Sequence, residues 1–242
     1  MATRPVNLVV DSAQPRELAG FWAELLGWRI ALDLPSEVAV RAPAADGWDL
    51  DLVMVPVPEA KTAKNRIHLD LASGSAAEQR ALVDRAVRLG AEPVDIGQGP
   101  VPWVVLADPE GNEFCVLEPR PEYARTGAVA AIVLDAADPA GLAAFWAGAT
   151  GWVLSRRADA QVGLRAPTGR GPWLELLGGA EPKRGKNRVH LDVAPPAGGG
   201  HAGEVERLVR LGARTADVGQ RDEPWRVLAD PEGNEFCVLT PR

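Results

Sequence analysis

Trp103-Val-Val-Leu-Ala-Asp-Pro-Glu-Gly-Asn-Glu-Phe-Cys-Val-Leu117 occurs a second time, from Trp225 to Leu239, with one change, Arg226 in place of Val104. The stretch reads as two short strands around a turn. Val104 to Ala107 is β-branched or apolar, Asp108-Pro109-Glu110-Gly111 is turn chemistry with Pro presetting φ and Gly free to take φ > 0, and Phe114 to Leu117 is a strand again. A repeat of this length, so far along the chain, marks an internal duplication. The 242 residues therefore divide into two halves.

Working outward from that stretch, each half resolves into two β-α-β-β-β units. The first unit has a strand at Val6 to Val10 and a helix from Pro15 to Leu26, whose Leu18, Phe21, Trp22 and Leu25 recur at three- and four-residue steps. Strand patterns follow at Trp28 to Leu34, Glu37 to Arg41 and Trp48 to Val55. The second unit opens with Asn65-Arg-Ile-His-Leu-Asp-Leu71. Ser75 and Glu78 then form a capping-box signature ahead of a helix to Leu89, with Gly90 as its stop. The strands Pro93 to Ile96, Trp103 to Ala107 and Glu113 to Leu117 close it. Glu118 to Gly127 is polar, proline-bearing and without period, and reads as a linker. The order then restarts at Val129, with Asp138-Pro139 as a helix start and Lys186 to Asp192 repeating Lys64 to Asp70. His201, in a Pro- and Gly-rich loop, reads as solvated.

Composition bounds the function. Apolar residues make up 46% and no run approaches the ~20 apolar residues of a membrane span. The opening residues show no h-region. A formal charge of −7 without a basic run argues against nucleic acid, whose binding rests on Lys and Arg at phosphates. Cys115 and Cys237 occupy equivalent places and read as separate thiols. The expectation is a cytoplasmic protein, monomer or homodimer, whose partner is a small molecule rather than a membrane or a nucleic acid.

Alternation places the chemistry. In Arg66-Ile67-His68-Leu69-Asp70-Leu71 the apolar residues share one face, so Arg66, His68 and Asp70 share the other, and Arg188, His190 and Asp192 repeat the row. These six are the candidate catalytic residues. By the same count Cys115 and Cys237 face opposite to Phe114 and Phe236. Asp51 lies on the polar face of its strand, and Glu175 reads as its counterpart. Eight tryptophans accompany a single tyrosine. Trp22 and Trp146 read as core, while Trp103, Trp225, Trp48 and Trp173 read equally as stacking walls for a flat ligand or as ordinary packing. Glu113 and Glu235 read as solvated or as partners of Arg66 and Arg188, with catalytic bases at the groove mouth as the alternative.

Four such units in two pairs, with Lys-Asn-Arg-Ile-His-Leu-Asp opening the second unit and Asp-Pro-Glu-Gly-Asn-Glu-Phe-Cys-Val-Leu closing it, resemble the vicinal oxygen chelate superfamily of glyoxalase I, bleomycin-type resistance proteins, epimerases and extradiol dioxygenases. The resemblance implies an α+β chain of two tandem glyoxalase-like domains, residues 1–120 and 128–242 around a linker at 121–127. Each domain is expected to be a pair of units curled into an open barrel with the site on its concave face. It also implies metal positions. The first-strand ligand falls on Asn7 and Ala131, the acidic ligand on Asp51 and Glu175, the second-unit His on His68 and His190, and the last-strand Glu on Cys115 and Cys237. Ala131 cannot bind a metal, and a thiol stands where a carboxylate is usual. The expectation is metal-independent binding for sequestration of a toxic compound, or a cofactor-free isomerase or lyase. Two alternatives stay open. One is a divalent metal at His68/Asp51/Cys115 or His190/Glu175/Cys237 serving a lyase, epimerase or dioxygenase, and the other is a degenerate sensing or structural module.

Overall fold

The computed structural model describes residues 2–220 and 222–242. The first unit runs β1 (Arg4–Ser12), α1 (Pro15–Leu26), β2 (Arg29–Leu34), β3 (Glu37–Arg41) and β4 (Asp51–Pro56). The second runs β5 (Ile67–Leu71), α2 (Ala76–Arg88), β6 (Glu92–Pro93), β7 (Val104–Ala107) and β8 (Glu113–Val116). The second half repeats this as β9 (Val129–Ala136), α3 (Pro139–Thr150), β10 (Val153–Ala158), β11 (Gln161–Arg165) and β12 (Trp173–Gly178). It ends with β13 (Val189–Ala194), α4 (His201–Arg210), β14 (Arg214–Thr215), β15 (Arg226–Ala229) and β16 (Glu235–Val238). Among the described residues no helix is long and apolar enough to cross a membrane.

The α+β class and the four-unit plan hold. The pairing of units differs from the expectation. Sheet I has the order β14-β15-β16-β13-β1-β4-β3-β2 and sheet II the order β10-β11-β12-β9-β5-β8-β7-β6. Each eight-stranded sheet thus takes one unit from each repeat, joined by antiparallel β1–β13 in one and β5–β9 in the other. The physical reason is that the first strand of every unit is left with the same kind of open edge, and an unpaired edge must find a partner. Sequence alone does not say which.

Units of the same repeat meet back to back instead, through the duplicated turn. Asp108 accepts bonds from the indole of Trp22 at 3.2 Å, from the Asn112 side-chain amide, and from the backbone of Glu110 and Asn112. Asp230 repeats the arrangement with Trp146 at 3.3 Å and Asn234. Glu110 receives Ser12 Oγ at 2.6 Å and the backbone N–H groups of Ala13 and Gln14, so it serves the entrance of α1, where Gln14 supplies no side-chain cap. Glu232 does the same for Ala137 and Asp138 ahead of α3. Phe114 lies edge-on to Trp22 with ring centres 5.1 Å apart, and Phe236 to Trp146 at 5.3 Å. Burial pushes the Asp108 carboxyl up to about 6, against the bonds from Asn112, Glu110 and Trp22 that favour its charge.

Two smaller expectations are corrected. His201 is not a solvated loop residue; it opens α4, with Nε2 2.9 Å from the carbonyl of Val238. Glu113 and Glu235 pair with Lys61 at 2.6 Å and Lys183 at 2.7 Å rather than with the arginines. The cross-repeat joint is testable by truncation. Residues 1–120 alone carry two open edges, β1 and β5, and should elute as a dimer in which β1 of one copy pairs with β5 of the other. A folded monomer by light scattering would contradict the topology.

Candidate functional site

Each sheet curls around an inner face made from alternate residues of its strands. In sheet I the ladder aligns Asp51 on β4, Asn7 on β1, Asp192 on β13 and Cys237 on β16 as one cross-strand row. One step along lie Val53, Val9 and His190. In sheet II the matching row is Trp173, Ala131, Asp70 and Cys115, followed by Glu175, Val133 and His68. The counterpart of Asp51 is therefore Trp173, and Glu175 is the counterpart of Val53, which corrects the expected equivalence. The connection from β3 to β4 spans residues 42–50 while that from β11 to β12 spans 166–172, so counting along the chain slips by two.

The register also changes which groups can meet. Asp51 shares a sheet with His190, and Glu175 shares one with His68, so the expected trios His68/Asp51/Cys115 and His190/Glu175/Cys237 do not assemble. What does assemble is His68, Asp70 and Cys115 in groove II and His190, Asp192 and Cys237 in groove I, with the donor atoms of each trio within 4.8 Å of one another.

Groove I is polar and held in place. Asn7 Nδ2 donates to Asp192 Oδ2 at 2.9 Å, which fixes the carboxylate and leaves its Oδ1 buried without a hydrogen-bond partner among the described residues. His190 Nε2 lies 3.4 Å from that Oδ1 and 3.6 Å from Cys237 Sγ. Arg41 holds Asp51 through two bonds, at 2.7 and 2.5 Å, near the solvent edge. The Asp51 side chain keeps 19% of its surface exposed, against 2% for Glu175. The apolar inner residues of this sheet fall into two separate clusters, Val6, Ala194, Val227, Cys237 and Leu239 beside Trp225, and Val9, Ala39 and Val53.

Groove II carries the same trio, with His68 Nε2 3.5 Å from Asp70 Oδ1. Its inner face, however, is one continuous cluster of Cys115, Leu117, Tyr123, Ala130, Ala131, Val133 and Trp173, with Trp103 packed against it. Tyr123 comes from the linker. Sequence reasoning passed over it, although it is the chain's single tyrosine and sits among arginines.

Arg66 and Arg188 begin the polar rows but turn to the opposite sheet. Arg66 bonds Asn234 and the carbonyls of Glu181 and Asp135 and pairs with Glu232 at 3.1 Å, while Arg188 bonds the carbonyls of Glu59 and Asp11 and pairs with Glu110 at 3.2 Å. They tie the duplicated turns to the sheets rather than lining a groove. Trp48 is not a groove wall; it is buried in the main core against Trp28, 5.1 Å away, because it precedes β4 and points to the helix side. Trp173 stands inside groove II, Trp103 at its rim with its indole on Gln98, and Trp225 beside groove I.

Burial and the neighbouring carboxylates, Asp70 for Cys115 and Asp192 for Cys237, push both thiols well above their ordinary range. The donor set of His190, Asp192 and Cys237 fits a zinc-type ion in ligand types, and the unpartnered Asp192 Oδ1 is aimed at the same point. Any such ion would have to displace the thiol proton.

A family model described as "Glyoxalase-like domain" matches residues 7–117 and again 131–239. The chain belongs to this glyoxalase-like family. Glyoxalase I from Zea mays has a similar fold, with a TM-score of 0.67 over 99% of this chain and 92% of that one at 15% identity. A mutant form of the same Zea mays enzyme gives 0.66 over 99% and 94%, also at 15%. A glyoxalase/bleomycin resistance protein from Albidiferax ferrireducens covers 47% of this chain and 95% of its own length at 20% identity, with a TM-score of 0.36. No curated protein matches this chain in sequence.

For this glyoxalase-like chain the thiols give a direct check on groove electrostatics. With their pKa values raised and their side chains buried, Cys115 and Cys237 should resist iodoacetamide at pH 8 in the native state and both react after unfolding. Rapid native alkylation of either, read by mass spectrometry, would contradict the placement.

Proposed function

We propose that this glyoxalase-like chain binds a small polar organic molecule in groove I, and acts on it as a cofactor-free isomerase or lyase or holds it out of circulation. The observation that carries the reading is the cross-strand row of Asp51, Asn7 and Asp192 beside His190. Asp51 and Asn7 offer an acceptor and an amide for a polar ligand. His190, with Asp192 at 3.4 Å, is the group suited to orient the ligand or move a proton, since an imidazole ring carries one nitrogen that donates and one that accepts. Trp225 supplies an apolar wall next to this polar row. The same reading takes the protein as cytoplasmic, a monomer or homodimer without nucleic-acid or membrane partners. Two unpaired thiols and a formal charge of −7 support it.

A second reading is favoured by one specific observation, the convergence of one donor atom each from His190, Asp192 and Cys237 within 4.8 Å. Those three residues would hold a divalent ion, with Asn7 orienting the carboxylate from behind. Bound there, the ion would polarise ligand oxygens or activate water. The chain's own part would be unchanged: Asn7 fixes Asp192, and Asp51 faces the ligand from the neighbouring strand.

The test combines a thermal-shift screen of small aldehydes, oxo acids and their thiol adducts with elemental analysis of protein purified without chelator. A compound that stabilises the wild-type chain should lose at least about tenfold in affinity in His190→Ala, roughly 1.4 kcal/mol or more, and a similar amount in Asp51→Asn. His68→Ala should leave it bound. Loss of binding in His68→Ala but not in His190→Ala would move the site to groove II and overturn the proposal. Sub-stoichiometric metal and binding indifferent to EDTA are expected. One equivalent of zinc that disappears in Cys237→Ala would put the second reading in place of the first.

A further inference from the structure

Groove II is filled from within. A 3-10 turn at Pro121–Tyr123 drives the linker's Tyr123 onto the inner face of sheet II, where the whole residue is 4% exposed. Its hydroxyl donates to Glu175 Oε1 at 2.9 Å. Glu175 also receives Gln161 Nε2 at 2.6 Å and Arg156 Nη1 at 3.2 Å, so this carboxylate is built into the wall before the phenol reaches it. Two guanidinium groups lie over the ring, Arg156 at 5.7 Å and Arg120 at 5.9 Å from its centre. Trp173 closes one side, stacked under Arg156 at 4.8 Å and Arg165 at 5.0 Å, with its indole N–H on the carbonyl of Glu122.

The space for this arrangement is specific to sheet II. Ala131 stands where sheet I has Asn7, and Gly163 where it has Ala39. A Cβ on Gly163 would lie 2.7 Å from the Trp173 ring, so the indole needs that glycine. Four positions thus differ together from sheet I, namely Ala131, Gly163, Trp173 and Glu175, and the result is a slot shaped for one aromatic ring with a carboxylate at its end.

We propose that groove II is a phenol-binding site occupied in cis by Tyr123, so that the native chain offers groove I alone to an outside ligand. This stands on the contents of groove II and is separate from the function read for groove I. The recognised class is a neutral phenol: the O–H is given to a buried carboxylate, two guanidinium groups lie over the ring, and an indole belongs to the same apolar cluster. Consistent with that, burial and the Glu175 charge hold the Tyr123 phenol up to about 12, so it stays a donor at any physiological pH.

The experiment empties the slot and offers the missing group back. Tyr123→Gly, measured as the full chain, should melt well below wild type, and p-cresol should restore much of the loss. Toluene, which lacks the hydroxyl, should bind at least about tenfold more weakly. The wild-type chain, whose slot is already filled, should gain less from p-cresol than Tyr123→Gly does, and an equal gain would count against the proposal. Equal response to p-cresol and toluene, or a folded variant indifferent to both, would overturn the proposal. Should Tyr123→Gly not fold in either condition, Tyr123→Phe decides. It keeps the ring and removes the donor, so the Glu175 carboxyl, already raised by burial, should titrate higher still by carbon NMR. An unchanged Glu175 titration would refute the phenol–carboxylate recognition.

Discussion

The antiparallel joint between β1 and β13, with its twin between β5 and β9, is the constraint on which the rest of the structure depends. A β-α-β-β-β unit covers one face of its four strands with its helix but leaves its first strand with an open edge. Backbone donors and acceptors on that edge must be paired, and the partner found for it decides which side chains share a groove. Here the partner comes from the other repeat. Asn7 reaches Asp192 only because of that choice, and Tyr123 reaches Glu175 for the same reason.

The duplicated turn then has a structural meaning. Asp108 and Asp230 each collect a tryptophan indole from the helix of the other unit, Glu110 and Glu232 satisfy backbone donors at that helix entrance, and Arg66 and Arg188 return from the sheets to those two glutamates. Removing either aspartate would strand a buried indole N–H and a side-chain amide, each costing about 1–3 kcal/mol. Near-identity of the two copies of this stretch follows from its task, which is the same at both places because the two back-to-back packings are the same.

Much of this was legible in the sequence, and the limits have physical causes. The period-2 pattern of residues 66–71 put His68 and Asp70 on one face, and the ladder keeps them there, since a strand's side chains alternate whatever it pairs with. The helix starts at Ser75 and Asp138 were readable because capping is local; both side chains accept the expected backbone bonds. Pairing of units was not readable, because all four edges look alike to a local pattern. Nor was the alignment of Asp51 with Trp173, because connecting loops of different length break the count and only cross-strand hydrogen bonds restore it. Arg66 shares the alternation of His68 but sits one residue before β5, where its long side chain is free to turn toward Glu232 on the opposite sheet.

The contrast between the grooves follows from where the two repeats diverged. His-Asp-Cys trios are present in both, so the trio by itself does not make one groove polar and the other a packed interior. The difference lies on the units that begin each repeat: Asn7 against Ala131, Ala39 against Gly163, Asp51 against Trp173 and Val53 against Glu175. The units that end each repeat supply the duplicated turn and the trio almost unchanged. A sheet built from one unit of each kind therefore joins a constant half to a variable half, and chemical individuality enters through the variable one. In sheet I that half brings a partly exposed carboxylate and an amide. In sheet II it brings a small residue, a glycine and an indole, whose combined volume and shape accept the tyrosine that closes the groove.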